Sequence, residues 1–492
     1  RNGIKYIKAD GLNIIDLLYK TSLANEFSKT KRKPVFLHMK TVRLLGHAGS
    51  DIEVGYKTLN EIETIEFNDP LLHTARIMID KKLLSKEDII SIYENSRMRV
   101  SQVFDQACTR PKLNNSKNVM KSITASNIKR KAPSLPNEAK RRGVFDKEYQ
   151  RLNNKNHMAG LINYALSDIL LRYSNTVIFG EDVGKKGGVY HITANLQKQF
   201  GARRVFDSPL DETSIIGFAS GFGHNGFVTI PEIQFLAYFH NAEDQLRGEA
   251  ATLQFFSNGQ FTNPMVIRIP GLAYQKGFGG HFHNDNSLAI FRDIPGIILG
   301  VPSNGFAAVK MLRYAMRLAY EEKRIVIFIE PIALYMAKDL HSKNDLKWSF
   351  EYPPLDKEIA LGEVIKYGNG KTLTIISYGN GLYLSLQAKK EIEKKINKKI
   401  QVIDLCWLSD IDIKNLLKLI GKCTSVLIVD ECRRSGCYGE GLMIDLQKAS
   451  KANLNIDLHA AENSFIPLGE SATSTLPSKD SIIEAAIRML NA

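Results

Sequence analysis

Apolar residues along the chain recur with two different periods, one typical of helices and one typical of buried strands. Residues 157–173 carry apolar side chains three and four positions apart, which predicts a helix, and the apolar run 176–180 predicts a buried strand. Helix and strand continue to alternate up to residue 329, and again from residue 373 to residue 490. This alternation predicts an α/β fold whose mostly parallel sheets are covered by helices on both faces.

The pattern gives bounds for most elements. Further strands are predicted at residues 4–6, 34–39, 264–269, 296–299, 325–329, 373–377, 400–404 and 425–430, with a short strand from Val205. Further helices are predicted at residues 13–26, 70–82, 86–107, 215–223, 242–256, 305–321, 382–395, 413–420, 439–449 and 479–490. Ser85, with Asp88 three residues later, predicts a capping box at the start of one of them.

The positive charge is concentrated in one segment. The chain has 66 Lys and Arg against 52 Asp and Glu, a net charge of +14, and residues 109–145 contain ten basic residues and one acid. Their prolines and weak apolar periodicity favour a flexible, self-repelling linker. A nucleic-acid or membrane-binding arm is the alternative, but the segment lacks the interleaved aromatic residues of a base-stacking surface. We therefore expect no nucleic-acid or membrane partner.

The linker divides the chain into domains. We predict an N-terminal α/β remnant at residues 1–108, the basic linker at 109–148, a larger α/β domain at 149–340, a polar linker at 341–365 and a smaller α/β domain at 366–492. Because residue 1 is Arg, not Met, we expect a fragment or a processed form of a longer protein.

Composition excludes several classes of protein. With 492 residues and 44% hydrophobic composition the chain is long and apolar enough for large cores, and it has neither a disordered nor a collagen-like composition. No apolar run reaches the 18 or so residues that a membrane-spanning helix needs. Its five cysteines are too scattered for a disulfide framework, so we expect a reducing compartment, the cytoplasm or, in a eukaryote, the mitochondrial matrix.

Three short motifs have ordinary explanations. Gly221, Gly223 and Gly226 form a GxGxxG, but they end a predicted helix, whereas the glycines of a dinucleotide site follow a strand. The pair His281 and His283 has no third ligand at metal-binding spacing, and the sequence around Cys432 does not match a zinc motif. We expect close packing at the glycines and no metal site among these residues.

Polar groups follow predicted strands at three places. Glu181 and Asp182 come directly after one strand, Glu212 follows the short strand from Val205 at the mouth of a helix, and a glycine-rich loop at residues 277–287 follows a third strand. Parallel α/β sheets bind ligands at the carboxyl ends of their strands. A helix cap or a surface acid could explain Glu212 alone, but the combination favours an active site.

These residues belong to longer strings that resemble one family. In Phe179 to Tyr335 the strings are FGEDVGKKGGVY, RVFDSPLDETSIIGFASG, PEIQFLAYFHNAEDQL, HNDNSLAIFRDIPG and FIEPIALY. They resemble the β component of the thiamine-diphosphate-dependent 2-oxo acid dehydrogenases (E1), and EIQF and FIEP resemble its branched-chain type. KADGLN, PVFLHMKTVRLLGHAGSD and FNDPLLHTARIMIDKKLLSKEDI resemble the end of the α component, and VIDLCWLSDID and ECRRSGCYGE resemble the C-terminal transketolase-like domain.

The resemblance implies a fused α–β chain that lacks most of its α half. It implies a thiamine-diphosphate-binding, transketolase-like fold and oxidative decarboxylation of a 2-oxo acid, most similar to the branched-chain type. The implied cofactors are thiamine diphosphate and Mg²⁺, and the implied partners are a lipoyl-bearing acyltransferase (E2) and a second copy of the fused chain. The family motif GDG…N, which holds Mg²⁺ and the diphosphate, is expected upstream of Arg1.

The resemblance also assigns site residues in the β-like half. Glu212 corresponds to the acid against N1′ of the aminopyrimidine, which needs an apolar surround that raises its proton affinity. Glu181 is expected nearby, Tyr238 is expected to pack on the aminopyrimidine, and His283 corresponds to a histidine near the second substrate. HNDNS stands where the family usually has HSQS, so this loop departs from the family pattern.

In the α-like half, His47 corresponds to the histidine of a GHxxSD loop near the reactive end of the cofactor. Arg43 is expected to bind phosphate oxygens or the substrate carboxylate. Ala48 stands where regulated relatives carry a phosphorylated serine, and Ser50 is retained.

Two alternatives stay open at this point. A pyruvate or acetoin dehydrogenase, or another transketolase-like enzyme, shares the architecture, and the missing α half also contributes to substrate choice. A non-catalytic scaffold is the alternative from another class. Retention of Glu181, Glu212 and His283 argues against a scaffold, because such a protein has no need of a buried acid.

Overall fold

The computed structural model describes residues 4–124, 130–272, 280–450 and 454–491, so part of the predicted glycine-rich loop, residues 277–279, lies outside the described residues. The chain forms two compact units, Arg1–Leu113 and Asn114–Ala492. Each is described by itself.

The first unit is built on a parallel pair of strands. Its elements are β1 (Lys5–Asp10), α1 (Ile14–Lys31), β2 (Val35–Lys40), α2 (Leu59–Phe67), α3 (Pro70–Asp80) and α4 (Lys86–Cys108). β1 and β2 pair in register over six residues, and α1 is the crossover that a parallel pair requires. Ser85 and Asp88 form the predicted capping box at the start of α4.

The second unit contains two sheets. The first has the strand order β4-β3-β5-β6-β8-β7, and all of its described pairs are parallel. The elements of this part are α5 (Ser116–Met120), α6 (Glu138–Phe145), α7 (Met158–Arg172), β3 (Thr176–Gly180), α8 (Leu196–Phe200), β4 (Val205–Asp207), α9 (Glu212–His224), β5 (Val228–Glu232), α10 (Thr252–Phe256), β6 (Met265–Gly271), α11 (Ala289–Arg292), β7 (Ile298–Gly300), α12 (Gly305–Glu322) and β8 (Ile325–Pro331). Every residue of β3, β5, β6 and β8 is buried, as expected for a parallel sheet covered on both faces.

The second sheet has the order β13-β12-β10-β11-β9, with β9 antiparallel to β11 and the other described pairs parallel. Its elements are β9 (Ile365–Tyr367), β10 (Leu373–Ser377), α13 (Gly379–Ile396), β11 (Gln401–Asp404), α14 (Ile413–Ile420), β12 (Ser425–Arg433), α15 (Tyr438–Ala449), β13 (Asn455–Ala461) and α16 (Lys479–Asn491). The two sheets meet where Trp407 packs on Gly300. Residue 300 must be small here, because a Cβ on it would lie 2.6 Å from the indole ring. The predicted α/β class is confirmed.

Several elements differ from the prediction. α9 begins at Glu212, three residues before the predicted helix, so this acid lies in the first turn of the helix. The helix predicted at residues 242–256 is divided into a π-helical turn (Gln245–Ala251) and α10, and a 3₁₀ turn (Leu236–Ala242) precedes them. β5, β9 and β13 were not predicted. In β5, Pro231 and Glu232 interrupt the apolar run that would have indicated a strand.

The glycines of GFGHNG end a helix in the structure. A Cβ on Gly223 would lie 3.1 Å from Cδ of Pro264, and Gly226 has a φ of +85° just after α9. Close packing and a turn account for both residues. This agrees with the structural interpretation of the motif.

The basic segment predicted as a flexible linker includes helical elements. It contains α5 and α6, and its residues from 114 onward belong to the second unit. Arg141 donates from Nε to Oδ1 of the buried Asp168 at 2.7 Å, and Ser122 donates to the carbonyl of Phe255 at 3.1 Å. The charge count could not reveal these acceptors, because they lie on distant parts of the chain. The predicted domain boundaries remain a prediction.

Candidate active site

The carboxyl end of β3 presents two acids. Glu181 follows the last residue of β3, and Asp182 has a φ of +60° and accepts a hydrogen bond from Lys186 Nζ at 2.6 Å. Burial raises the pKa of Glu181, and the negative charges of Asp182 and Glu212 raise it further. The Glu181 carboxyl group therefore lies within electrostatic reach of Glu212.

Glu212 is held at the N-terminus of α9. Glu212 is only 6% exposed, and its Oε2 accepts a hydrogen bond from Asn241 Nδ2 at 3.2 Å. The unpaired backbone N–H groups of the first helical turn favour a negative charge at this position. A carboxylate so placed can hold or release a proton toward a ligand at the sheet edge.

The 3₁₀ turn Leu236–Ala242 carries two residues that face these acids. Asn241 is the hydrogen-bond donor to Glu212, and Tyr238 lies three residues before it. Burial raises the pKa of Tyr238, and the charges of Glu181 and Glu212 raise it further. The turn therefore places the Tyr238 ring within electrostatic range of both carboxyl groups.

His283 lies against the same turn. Its ring contacts Phe235 edge to face, with centroids 4.5 Å apart, and its centroid is 6.1 Å from that of Tyr238. The structure thus brings Glu181, Glu212, Tyr238 and His283 to one edge of the six-stranded sheet. The carboxyl-edge argument predicts this for the two acids and the loop of His283, and the family resemblance implies it for Tyr238. The catalytic and binding roles assigned to them remain predictions.

Arg43 and His47 belong to the first unit and lie in the segment that follows β2. Arg43 donates from Nη2 to Nδ1 of His47 at 3.0 Å, and the His47 backbone donates to Oδ2 of Asp51 at 2.6 Å. This backbone hydrogen bond and one from Tyr56 lower the pKa of Asp51. The arrangement fixes the shape of the GHxxSD loop.

Sequence reasoning missed a buried ionic network beside the site. Arg268 on β6 forms a bidentate pair with Glu330 on β8, both distances being 2.7 Å, and also donates to Glu232 on β5. Tyr335 donates to Glu330 at 2.6 Å. A charged residue inside the apolar strand VIRIP was the available signal, because a buried guanidinium needs acidic partners.

This network changes the interpretation of two strings. Glu232 is the acid of EIQF and Glu330 is the acid of FIEP, and both carboxylates form salt bridges with Arg268. Burial raises the pKa of Glu232, opposed by the charge of Arg268. These two acids therefore tie three strands together through Arg268.

In the described parts of the chain, no group of three or more His, Cys, Asp or Glu side chains is arranged to hold a metal ion. None of the helices described is long and apolar enough to cross a membrane.

Comparison with protein families identifies three successive matches. Residues 2–116 match the family described as "Dehydrogenase E1 component", residues 155–338 match "Transketolase, pyrimidine binding domain" and residues 362–467 match "Transketolase, C-terminal domain". The matches follow the order that the sequence strings predict.

Curated relatives and a solved structure each match about two thirds of the chain. The chain is 32% identical over 338 residues to the pyruvate dehydrogenase E1 component subunit beta of Staphylococcus epidermidis, covering 67% of this chain and 97% of that protein. It is 31% identical over 340 residues to the corresponding protein of Bacillus subtilis, covering 68% and 98%. A split-gene transketolase in an inactive β4 tetramer matches with a TM-score of 0.52 and 16% identity, over 68% of this chain and 98% of that one, which supports the fold alone.

Proposed function

We propose that this chain, which belongs to the family of thiamine-diphosphate-dependent 2-oxo acid dehydrogenase E1 components, decarboxylates a 2-oxo acid and transfers the acyl group to the lipoyl group of a partner acyltransferase. The observation that carries the proposal is the buried Glu212 carboxylate at the start of α9, beside Glu181 and Tyr238. The overall reaction converts the 2-oxo acid and a lipoyl disulfide into carbon dioxide and a thioester with one free thiol. The disulfide is the oxidant.

The residues present fit the aminopyrimidine of thiamine diphosphate. Among the described residues, the hydrogen bond from Asn241 uses one oxygen of Glu212, so the carboxylate can share a proton with a ring nitrogen, N1′. Tyr238 supplies an aromatic ring next to that position. When bound, the cofactor supplies a thiazolium that accepts the electrons released by decarboxylation.

The remaining residues receive roles by family correspondence. His283 is proposed to lie near the incoming lipoyl group, since its ring packs beside Tyr238. His47 and Arg43, already paired with each other, are proposed to act near the substrate and the phosphate oxygens. No described residue is assigned to Mg²⁺. A homodimer of the fused chain is proposed as the assembly.

The proposed substrate is a branched-chain 2-oxo acid, on the resemblance of EIQF and FIEP to that type. The acids of both strings form salt bridges in the buried network, so the support for a branched-chain substrate comes from the sequence and not from substrate contacts. Pyruvate is the second candidate, because the relatives are named as pyruvate dehydrogenase subunits.

Turnover of three substrates separates these candidates. The full-length protein, loaded with thiamine diphosphate and Mg²⁺, is assayed with 3-methyl-2-oxobutanoate, pyruvate and 2-oxoglutarate, using ferricyanide as electron acceptor. We expect kcat/KM for 3-methyl-2-oxobutanoate to exceed that for pyruvate by about tenfold or more, the effect of two extra carbons in an apolar pocket. A higher value for pyruvate would replace the branched-chain proposal with the second candidate. No turnover with any of the three would support a scaffold.

A further inference from the structure

The loop that carries His283 is tied to two other parts of the second unit through Asp285. Oδ1 of Asp285 accepts hydrogen bonds from Ser287 Oγ at 2.8 Å and from Arg433 Nη2 at 3.1 Å. Its Oδ2 lies 3.7 Å from Nε2 of His240. Arg433 ends β12 in the C-terminal sheet, whereas His240 lies in the 3₁₀ turn Leu236–Ala242. Asp285 therefore connects the loop to both elements.

Asp285 is a buried carboxyl group. It is 7% exposed, and a charge in such a position must be paired. Burial by itself would raise the pKa of Asp285, but its interaction with His240, the hydrogen bond from Ser287 and the charge of Arg433 hold it below the usual value. In return, Asp285 and then Glu243 raise the pKa of His240, although burial opposes them.

Further hydrogen bonds join the loop to the end of β12. Arg433 donates from Nη1 to Ser287 Oγ, and Asn286 donates from Nδ2 to the carbonyl of Glu431 at 2.7 Å. Asp285 and Asn286 are two of the residues in HNDNS, the string that departs from the family's HSQS. The departure therefore supplies the groups that hold the loop on the C-terminal sheet.

The same residues lie next to the proposed site. His240 is between Tyr238 and Asn241 on the 3₁₀ turn, and Asn241 holds Glu212. His283 is two residues before Asp285 and packs on the ring of Tyr238. A shift of Asp285 would move His283 relative to the turn.

We propose that His240, Asp285 and Arg433 form a positioning cluster that holds His283 against Tyr238 for acyl transfer to the lipoyl group. The cluster rests on the proposed function for its chemical role. None of its three members needs to touch the substrate. Arg433 makes the C-terminal sheet a structural support of the loop, and a misplacement of about 1 Å at a reacting group can cost on the order of a hundredfold in rate.

The first test measures the loop itself and needs no activity. Hydrogen–deuterium exchange of the amides at residues 280–288 is compared in the wild-type protein, Asp285→Asn and Arg433→Gln. The matched control is Arg434→Gln, the neighbouring arginine, which donates to the carbonyl of Leu458. We expect exchange in the loop to rise about tenfold in the two cluster variants and to stay at the wild-type rate in the control. Unchanged exchange in both cluster variants would overturn the proposal.

The second test separates the two halves of the reaction. Decarboxylation is followed with ferricyanide, and acyl transfer is followed with a purified lipoyl domain. We expect Asp285→Asn and Arg433→Gln to lower kcat/KM for the lipoyl domain by about 10–100-fold, the loss expected from a charge-assisted hydrogen bond. Decarboxylation should fall much less, and Arg433→Lys should recover part of the loss.

Equal losses in both half-reactions would indicate a merely structural role and contradict the positioning proposal. Absence of decarboxylation in the wild-type protein would instead contradict the proposed function, and the exchange measurement would still decide whether the cluster holds the loop. His240→Gln is a third variant that removes the imidazole facing Asp285 and leaves β12 unaltered. It should give the same pattern as Asp285→Asn.

Discussion

Replacing Glu212 with glutamine in the full-length enzyme is expected to reduce turnover of the 2-oxo acid by about 10²–10⁴-fold, the usual contribution of a positioned acid–base group. The amide can still accept the hydrogen bond from Asn241, so the fold of the site should survive. It cannot exchange a proton with the cofactor. Turnover is measured with ferricyanide at saturating substrate and cofactor.

The affinity for thiamine diphosphate should change far less than the turnover, because the substitution removes a proton-transfer group and not the diphosphate contacts. Glu249→Gln is the matched control, since it makes the same chemical change at an exposed residue of the same domain. Near wild-type turnover in Glu212→Gln would remove this residue from the catalytic role.

The second large effect is expected on stability. Arg268→Met leaves two buried carboxyl groups without their shared cation, and the free energy of unfolding at pH 7 should fall by about 3–5 kcal/mol. Equilibrium unfolding in urea, followed by circular dichroism, measures the change. Arg317→Met is the control, because Arg317 is partly exposed and its pair with Glu358 should contribute no more than about 1 kcal/mol.

The same variant should show a pH dependence of known sign. Burial raises the pKa of Glu232 in the folded protein, and Arg268 is the group that opposes this. With Arg268 removed, the protein folds preferentially with Glu232 protonated. Its free energy of unfolding is therefore greatest below the pKa of Glu232 in the unfolded state and is lost as pH rises through the pKa of Glu232 in the folded state. The deficit of Arg268→Met should therefore shrink toward pH 5. A deficit below about 1 kcal/mol at every pH would contradict the assigned network.

Sequence alone predicted the parts of the fold that local patterns encode. β3, β10 and α14 have the predicted bounds, because continuous β-branched runs and a strongly amphipathic octapeptide specify them locally. The π-helical turn at Gln245–Ala251 could not be predicted from local apolar periodicity. The extra residue of a π-helical turn is accommodated by tertiary packing and does not follow from the helix propensity of the local sequence.

The candidate site shows the same division. The rule that parallel sheets bind ligands at the carboxyl ends of their strands predicted that Glu181 and Glu212 would lie at the same edge of the sheet, and the family resemblance implied that they would lie near each other. Asn241 and Arg433 were not predicted, since each acts on a residue far away in sequence, 29 positions for Asn241 and Glu212 and 148 positions for Arg433 and Asp285. Such pairs are created by the fold, and no local period marks them.

The central claim is that Glu212 activates bound thiamine diphosphate. The most direct measurement is the rate at which the thiazolium C2 proton of the bound cofactor exchanges with deuterium, followed by proton NMR after acid quenching. We expect the wild-type protein to accelerate this exchange over the free cofactor by about a hundredfold or more, and Glu212→Gln to lose nearly all of the acceleration. Exchange in Glu212→Gln at the wild-type rate would contradict the claim.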